Sequence, residues 1–304
     1  VKLLAEAAAL DRGPDEGPKS LARARRARKR RYCRACHTEQ PGHAMTSTDL
    51  FSLAGRTALV TGGSRGIGKM IAAGFIAFGA KVYISSRKAA ACDATAAELG
   101  EGCIPLAQDV STVEGCHALA EAFGKHEPKL DILVNNAGAA WLAEFDAFPE
   151  NGWDKVMNLN LKSPFFLTQA LHAPLRAAAS KERPAKVINV ASIDGIRVNP
   201  QETYSYHASK AGLIHLTRRM ASTLIRDQIC VSGIAPGAFA SDMNIVARDQ
   251  GDQLARRIPA RRIGRDEDMA GVAIYLASRA GDYVVGETIA VDGGVAFSDI
   301  GGGG

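Results

Sequence analysis

No apolar run in this sequence approaches the roughly 18–20 residues that a membrane span needs, and no membrane partner is expected. A disulfide framework is lacking too. The six cysteines, Cys33, Cys36, Cys92, Cys103, Cys116 and Cys230, are scattered over 304 residues, which fits a reducing, cytoplasmic setting. Most of the chain also lacks a charge imbalance. Of 37 basic and 32 acidic residues, 11 and 5 fall in residues 1–44, leaving 26 and 27 for the rest, a net of −1. From Met45 onward there is therefore no electrostatic reason to expect a nucleic-acid partner. What is present is an ordinary globular composition, 46% hydrophobic and 23% charged, sufficient for one large domain or two small ones.

The basic excess is concentrated in front, with eight Lys or Arg between Arg23 and Arg34. Such a run can bind anionic surfaces or nucleic acid. It overlaps Cys33-x-x-Cys36-His37, the spacing of a haem attachment site, but no apolar signal core of about 7–15 residues precedes it. A zinc set of Cys33, Cys36, His37 and His43 is cramped for four tetrahedral ligands, and no metal is expected. Residues 1–44 read as a disordered or overextended basic segment, with a transit peptide or binding tail as the alternatives. Residues 45–304 read as one domain, ending in a flexible GGGG.

The body alternates short apolar runs with helical patterns. Strands are expected over 56–62, 81–86, 103–110, 130–138, 186–192, 229–237 and 286–294. Helices are expected over 66–80, 89–99, 113–125, 204–226 and 266–277, with a further long helix broken near Pro164. Strands apolar nearly throughout and separated by helices imply a parallel sheet covered on both faces. The expected fold class is α/β: a single-domain, Rossmann-type, doubly wound parallel seven-stranded sheet with ligands at the carboxyl ends of its strands.

After the first strand comes TGGSRGIG, in which Gly62, Gly66 and Gly68 open a helix. Glycine permits close backbone approach and leaves helix N-terminal N–H groups free for a pyrophosphate. The alternative is a tight turn without ligand. The second strand ends in Ser85, Ser86 and Arg87, without the acid that an NAD site places near the ribose. Arg87, together with Arg65 in the loop, suits a 2′-phosphate, so NADP(H) is the expected cofactor. In YSYHASK, Tyr206 and Lys210 are four apart and share a helix face, whereas Tyr204 falls on another side. A lysine ammonium beside that phenol is expected to lower its pKa and make it a proton donor.

TGGSRGIG, NNAG at 135–138, YHASK at 206–210, PG at 236–237 and GETIAVDGG, in this order, resemble the short-chain dehydrogenase/reductase family over roughly residues 50–296. The resemblance implies a catalytic set of Asn160, Ser192, Tyr206 and Lys210, with Asn158 as a decoy. It implies cofactor contacts from Gly62, Ser64, Arg65, Gly66, Ile67, Gly68, Ser86, Arg87, Asp109, Val110, Asn136, Ala137 and Gly138. Tyr206, Lys210, Pro236, Gly237 and Ser241 complete that list; Ser241 stands where the family more often has threonine. Asn135 matches a position that steadies the central sheet. Trp141, Leu142, Phe145, Phe148 and Tyr204 wall the substrate mouth or pack the core, and His207 is expected on the helix surface.

Within the family the chain resembles bacterial 3-oxoacyl reductases, including the rhamnolipid-biosynthesis type, and also gluconate 5-dehydrogenase-like enzymes. The expected activity is hydride transfer between nicotinamide and a ketone or secondary alcohol, foremost a 3-oxoacyl thioester on acyl carrier protein or coenzyme A. A sugar or polyol dehydrogenase is the alternative, and a non-catalytic NADP-binding redox sensor is a reading of another class. Arg248, Arg256 and Arg257 either meet phosphopantetheine or an acidic carrier protein or face water. A homo-oligomer, tetramer or dimer, is implied with the 204–226 helix at one contact.

Overall fold

A computed structural model describes residues 46–241 and 245–298. The basic front segment, with Cys33, Cys36, His37 and His43, lies outside the described residues, as does the terminal GGGG.

Seven parallel strands form one sheet in the order β3-β2-β1-β4-β5-β6-β7. They are β1 Thr57–Thr61, β2 Lys81–Ser85, β3 Cys103–Pro105, β4 Ile132–Asn135, β5 Ala185–Val190, β6 Ile229–Pro236 and β7 Thr288–Val291. Every residue of β5 and β6 is buried, as expected of central strands covered on both faces. The two-residue period sorts the core into two layers. Leu59, Leu133, Val187 and Val231 face one layer, with Leu119, Phe123, Leu167 and Leu171. Val60, Val134 and Ile188 face the other, with Ile71, Phe75, Met269 and Ile274.

The helices, numbered along the chain, are α1 Ser47–Phe51, α2 Gly66–Ala77, α3 Ala89–Leu99, α4 Val113–Gly124, α5 Glu150–Met157, α6 Ser163–Ala170, α7 His172–Ala178, α8 Tyr204–Leu224, α9 Ile245–Asp249, α10 Gly251–Ala255 and α11 Asp266–Ala277. Strand order reverses between β1 and β4, so the crevice of a doubly wound sheet opens at the carboxyl ends of these two strands.

β4 and β7 are each five residues shorter than expected, and three further elements differ from expectation. The third strand stops at Pro105 because proline cannot donate to a ladder and is tolerated only at an edge. Beyond it, Leu106 N–H still donates to the Ile84 carbonyl and Gln108 N–H to the Ser86 carbonyl. The break expected near Pro164 is a π-helical turn, Asn158–Lys162, between α5 and α6. Pro164 has no N–H for the Asn160 carbonyl and its ring crowds that position, and a wider turn relieves the clash. The stretch after β6 holds two short helices, α9 and α10, where no helix was expected. Among the described residues, no helix is long and apolar enough to cross a membrane, and no cluster of three or more His, Cys, Asp or Glu could hold a metal.

Candidate active site

The glycine loop is built by contacts a side chain would destroy. Gly62 and Gly66 have φ of 64° and 51°, the left-handed region that favours glycine. A Cβ on Gly68 would lie 2.3 Å from the Gly62 carbonyl oxygen. The loop is pinned from β4: Asn136 Nδ2 donates to the Thr61 carbonyl at 2.9 Å and the Gly62 carbonyl at 3.2 Å. Thr61 Oγ1 accepts from the N–H groups of Asn136 and Ala137 at 3.0 and 3.1 Å. On the other side, Thr95 Oγ1 donates to the Ser64 carbonyl at 2.8 Å. The first turn of α2 has no side-chain cap and no acidic residue, so its amide end offers partial positive charge to an anion.

Arg65 and Arg87 are both exposed at this end of the sheet, and Ser85–Arg87 carries no acid. This donor set fits NADP(H), with glycine cradle and α2 N-terminus for the pyrophosphate and the two guanidiniums for a 2′-phosphate. Ser86 Oγ lies 3.1 Å from Cys92 Sγ. Asp109 Oδ1 accepts from Ser111 N–H at 3.0 Å, shaping the turn after β3. The Val110 side chain belongs to the core with Leu119 and Leu133, so only its backbone could face a ligand. Pro236 ends β6, Gly237 N–H donates to the Val291 carbonyl at 2.9 Å, and a Cβ on Gly66 would lie 3.2 Å from Ser241 Cβ. The start of the segment after β6 therefore lies against the glycine loop.

The four expected catalytic side chains come from three places that the fold brings together. The π-helical turn buries Asn160 completely. Its Oδ1 accepts from Ala139 N–H at 2.8 Å, and its Nδ2 donates to the Ala139 carbonyl at 2.9 Å and to Ser209 Oγ at 3.0 Å. Asn158 lines a depression on the outer face, which separates it from the site. Ser192 follows β5 and caps a short turn, its Oγ accepting from Asp194 N–H at 3.1 Å. That turn packs tightly on α8: a Cβ on Gly195 would lie 2.6 Å from the Lys210 carbonyl carbon. On α8, Lys210 is buried, its Nζ donating to the Val190 carbonyl at 2.8 Å and lying 5.6 Å from the Tyr206 ring centroid.

One electrostatic expectation is corrected. Burial pushes the Tyr206 phenol up to about 12, against an opposing interaction with Ser192, while Asp194 adds to the rise. Lys210, whose ammonium donates to the Val190 carbonyl, does not offset that burial, and burial lowers its own value to about 8. Tyr206 keeps some exposure, so solvent screening tempers the size of its shift but not the direction.

Tyr204 is separate. Its hydroxyl donates to Glu202 at 2.9 Å and its ring packs edge-on to Phe145 and Phe148. Trp141 lies over Gly152. His207 is half-buried rather than a surface residue: its Nδ1 lies 3.1 Å from Thr203 Oγ1, anchoring the entry to α8. Asn135, the last residue of β4, donates to Asn189 at 2.9 Å and to Thr168 at 3.2 Å, a buried network joining β4, β5 and α6.

Sequence reasoning missed Ser209, which links Asn160 to the Tyr206 carbonyl at 2.8 Å; its position one turn after Tyr206 was the available signal. It also missed Thr61, the residue before Gly62.

A family model described as enoyl-(acyl carrier protein) reductase matches residues 62–296. The chain is 47% identical over 249 residues to the rhamnolipids biosynthesis 3-oxoacyl-[acyl-carrier-protein] reductase of Pseudomonas aeruginosa, covering 80% of this chain and 97% of that one. It is 39% identical over 254 residues to the 2-dehydro-3-deoxy-D-gluconate 5-dehydrogenase of Dickeya dadantii, covering 80% and 96%. The Pseudomonas aeruginosa RhlG/NADP active-site complex superposes with a TM-score of 0.79 at 46% identity, covering 82% of this chain and 99% of that one. By its nucleotide crevice, its tyrosine–lysine helix and these likenesses, the chain belongs to the short-chain dehydrogenase/reductase family.

Proposed function

We propose that this protein is an NADP(H)-dependent oxidoreductase whose substrate is a 3-oxoacyl thioester. The observation that carries the reading is the convergence of Asn160, Ser192, Tyr206 and Lys210 beside a glycine loop that lacks an acid at the end of β2. When bound, the reduced nicotinamide supplies the hydride. The chain's residues supply orientation and the proton. Tyr206 holds its proton throughout the neutral range, so it stands as the donor to the developing alkoxide. The Ser192 hydroxyl is placed to hold the carbonyl oxygen beside it. Lys210 tethers the base of the site to β5 and is the cation nearest the phenol, while Asn160 fixes Ala139 at the crevice wall.

Two features favour an acyl substrate. Leu142 and Val198 are 68% and 82% exposed, on the segments after β4 and β5 that a hydrogen bond from Ala143 N–H to the Glu202 carbonyl joins. Such rim side chains suit an apolar chain. Identity is also higher to the 3-oxoacyl reductase, 47%, than to the gluconate enzyme, 39%, although the gluconate-type relatives keep a polyol substrate as a second reading. A redox sensor has no need of the complete catalytic set.

We also read the outer face of α5, the π turn, α6 and α8 as a contact between copies. Met157, Leu161, Phe165 and Leu216 line a depression there of about 570 Å³. The four described cysteines are buried and unpaired, which fits a cytoplasmic setting. Parallel assays with NADPH and NADH, on a 3-oxoacyl thioester and on a 5-keto sugar acid, test the reading. NADPH-dependent thioester reduction is expected; turnover of the sugar acid alone would establish the polyol reading instead.

A further inference from the structure

α3 is an alanine-rich helix whose buried residues are Cys92, Thr95 and Ala96. Cys92 and Thr95 are three apart, so they share one face. Both bond outside their own helix. A buried threonine in a helix can return its hydroxyl to the carbonyl one turn back. Thr168 does so to Pro164 at 2.6 Å and Thr217 to Leu213 at 2.8 Å. Thr95 instead donates across to the Ser64 carbonyl at 2.8 Å, and Cys92 Sγ lies 3.1 Å from Ser86 Oγ.

Each contact ends one residue before an arginine. Ser64 precedes Arg65 in the glycine loop, and Ser86 precedes Arg87 after β2. The two segments also meet directly, Gly63 N–H donating to the Ser85 carbonyl at 3.2 Å. A Lys69–Glu98 pair ties α2 to α3. One helix face therefore holds the residue in front of each guanidinium, and with them the span between the two arginines. The other contact of the Ser86 hydroxyl, the Lys88 carbonyl at 3.4 Å, is long. A thiol that donates its S–H to Ser86 Oγ leaves the serine proton for an anion.

We propose that Thr95 and Cys92 are positioning residues that set the preference for NADP(H) over NAD(H), an inference that rests on Arg65 and Arg87 receiving the 2′-phosphate. Thr95 acts through Arg65, and Cys92 through Ser86. The two side chains are 6% and 0% exposed, so they reach the cofactor through these neighbours. A guanidinium fork recognises a phosphate by two parallel hydrogen bonds, which demand a fixed distance and plane. Holding the backbone on which each arginine stands supplies that constraint. NADH has a hydroxyl in place of the 2′-phosphate and gives the fork no anion to grip.

The test measures dissociation constants of NADPH and NADH by fluorescence titration in the wild type, T95V, T95S, C92A, R65A and T95V/R65A. T95V keeps the side-chain volume and removes the donor. It is expected to weaken NADPH by about 3- to 10-fold, the contribution of one neutral hydrogen bond, and to change NADH far less. T95S should restore NADPH binding. C92A should move the NADPH-to-NADH ratio in the same direction by a smaller factor, because a thiol is a weak donor. In the R65A background T95V should leave the ratio where R65A puts it, since coupled residues are not additive. T95A serves if T95V does not fold. Equal weakening of both cofactors by T95V would overturn the proposal, because it marks general support of the loop. So would full additivity with R65A, or T95S failing to restore NADPH; an unchanged ratio in C92A would overturn the part assigned to Cys92. A wild type that binds the two cofactors equally would overturn the 2′-phosphate reading, and this inference with it.

Discussion

Lys210 concentrates the account at the scale of single residues. Burial lowers its pKa from 10.5 to about 8. Between those values the unfolded chain still holds the proton that the folded chain has released, so this group makes stability rise with pH across the window. Denaturant unfolding at pH 8 and pH 10 should show that rise in the wild type and its loss in K210M; equal slopes would contradict a buried, depressed lysine. Arg87 has a different role. R87A should raise KM for NADPH by about 10- to 100-fold, the worth of one charged hydrogen bond, and leave KM for NADH nearly unchanged. A parallel loss with both cofactors would remove the 2′-phosphate from the argument. Helical spacing alone puts Tyr206, and not Tyr204, on the Lys210 face. The roles of Ser209 and His207 were not legible in the sequence, because each depends on a partner supplied by the fold: Asn160 from a distant turn for one, the local path of the 199–203 loop for the other. The direction of the Tyr206 shift was misread for the same reason. Spacing shows that a cation is near but not that it points to Val190.

Elements position those residues, and two show how. Pro164 converts a helix into a π turn, and that turn directs Asn160 inward while Asn158 stays on the outer face. The sequence announced the break through the proline, but not that the helix would widen instead of ending. At the start of α11, Asp268 caps the helix, accepting from Arg265 N–H at 2.8 Å and pairing with Arg262. Its carboxyl is held down at about 2, mainly by Arg262. A depressed acid stabilises above its unfolded value and loses that contribution as pH falls from about 4 to about 2. D268A should therefore destabilise by about 1 kcal/mol at neutral pH, as loss of a helix cap does, and the difference from wild type should vanish near pH 2 in denaturant titrations. Strand bounds were legible to within two residues in β5 and β6, where burial on both faces forces continuous apolar runs, but β4 was read five residues too long. They were less so at the β3 edge, where Pro105 and the loop ladder decide.

At the scale of the whole molecule, one sheet sets every functional group at its carboxyl edge and leaves an apolar helical face outside. If that face joins copies, F165R should shift the protein to a smaller species in light scattering coupled to size-exclusion chromatography. An unchanged mass would place any contact elsewhere. The two-layered core and the single sheet were readable from alternation alone. The outer face was not, because half-exposed Met157, Leu161 and Phe165 resemble core positions in sequence.

The measurement that bears most directly on the central claim is single-turnover reduction of a 3-oxoacyl thioester by NADPH in Y206F, with NADPH affinity determined on the same sample. The account predicts a rate lower by about 10²- to 10⁴-fold, the contribution of a positioned proton donor, with NADPH bound as tightly as in the wild type. Retained turnover in a variant that lacks the phenol hydroxyl would contradict it.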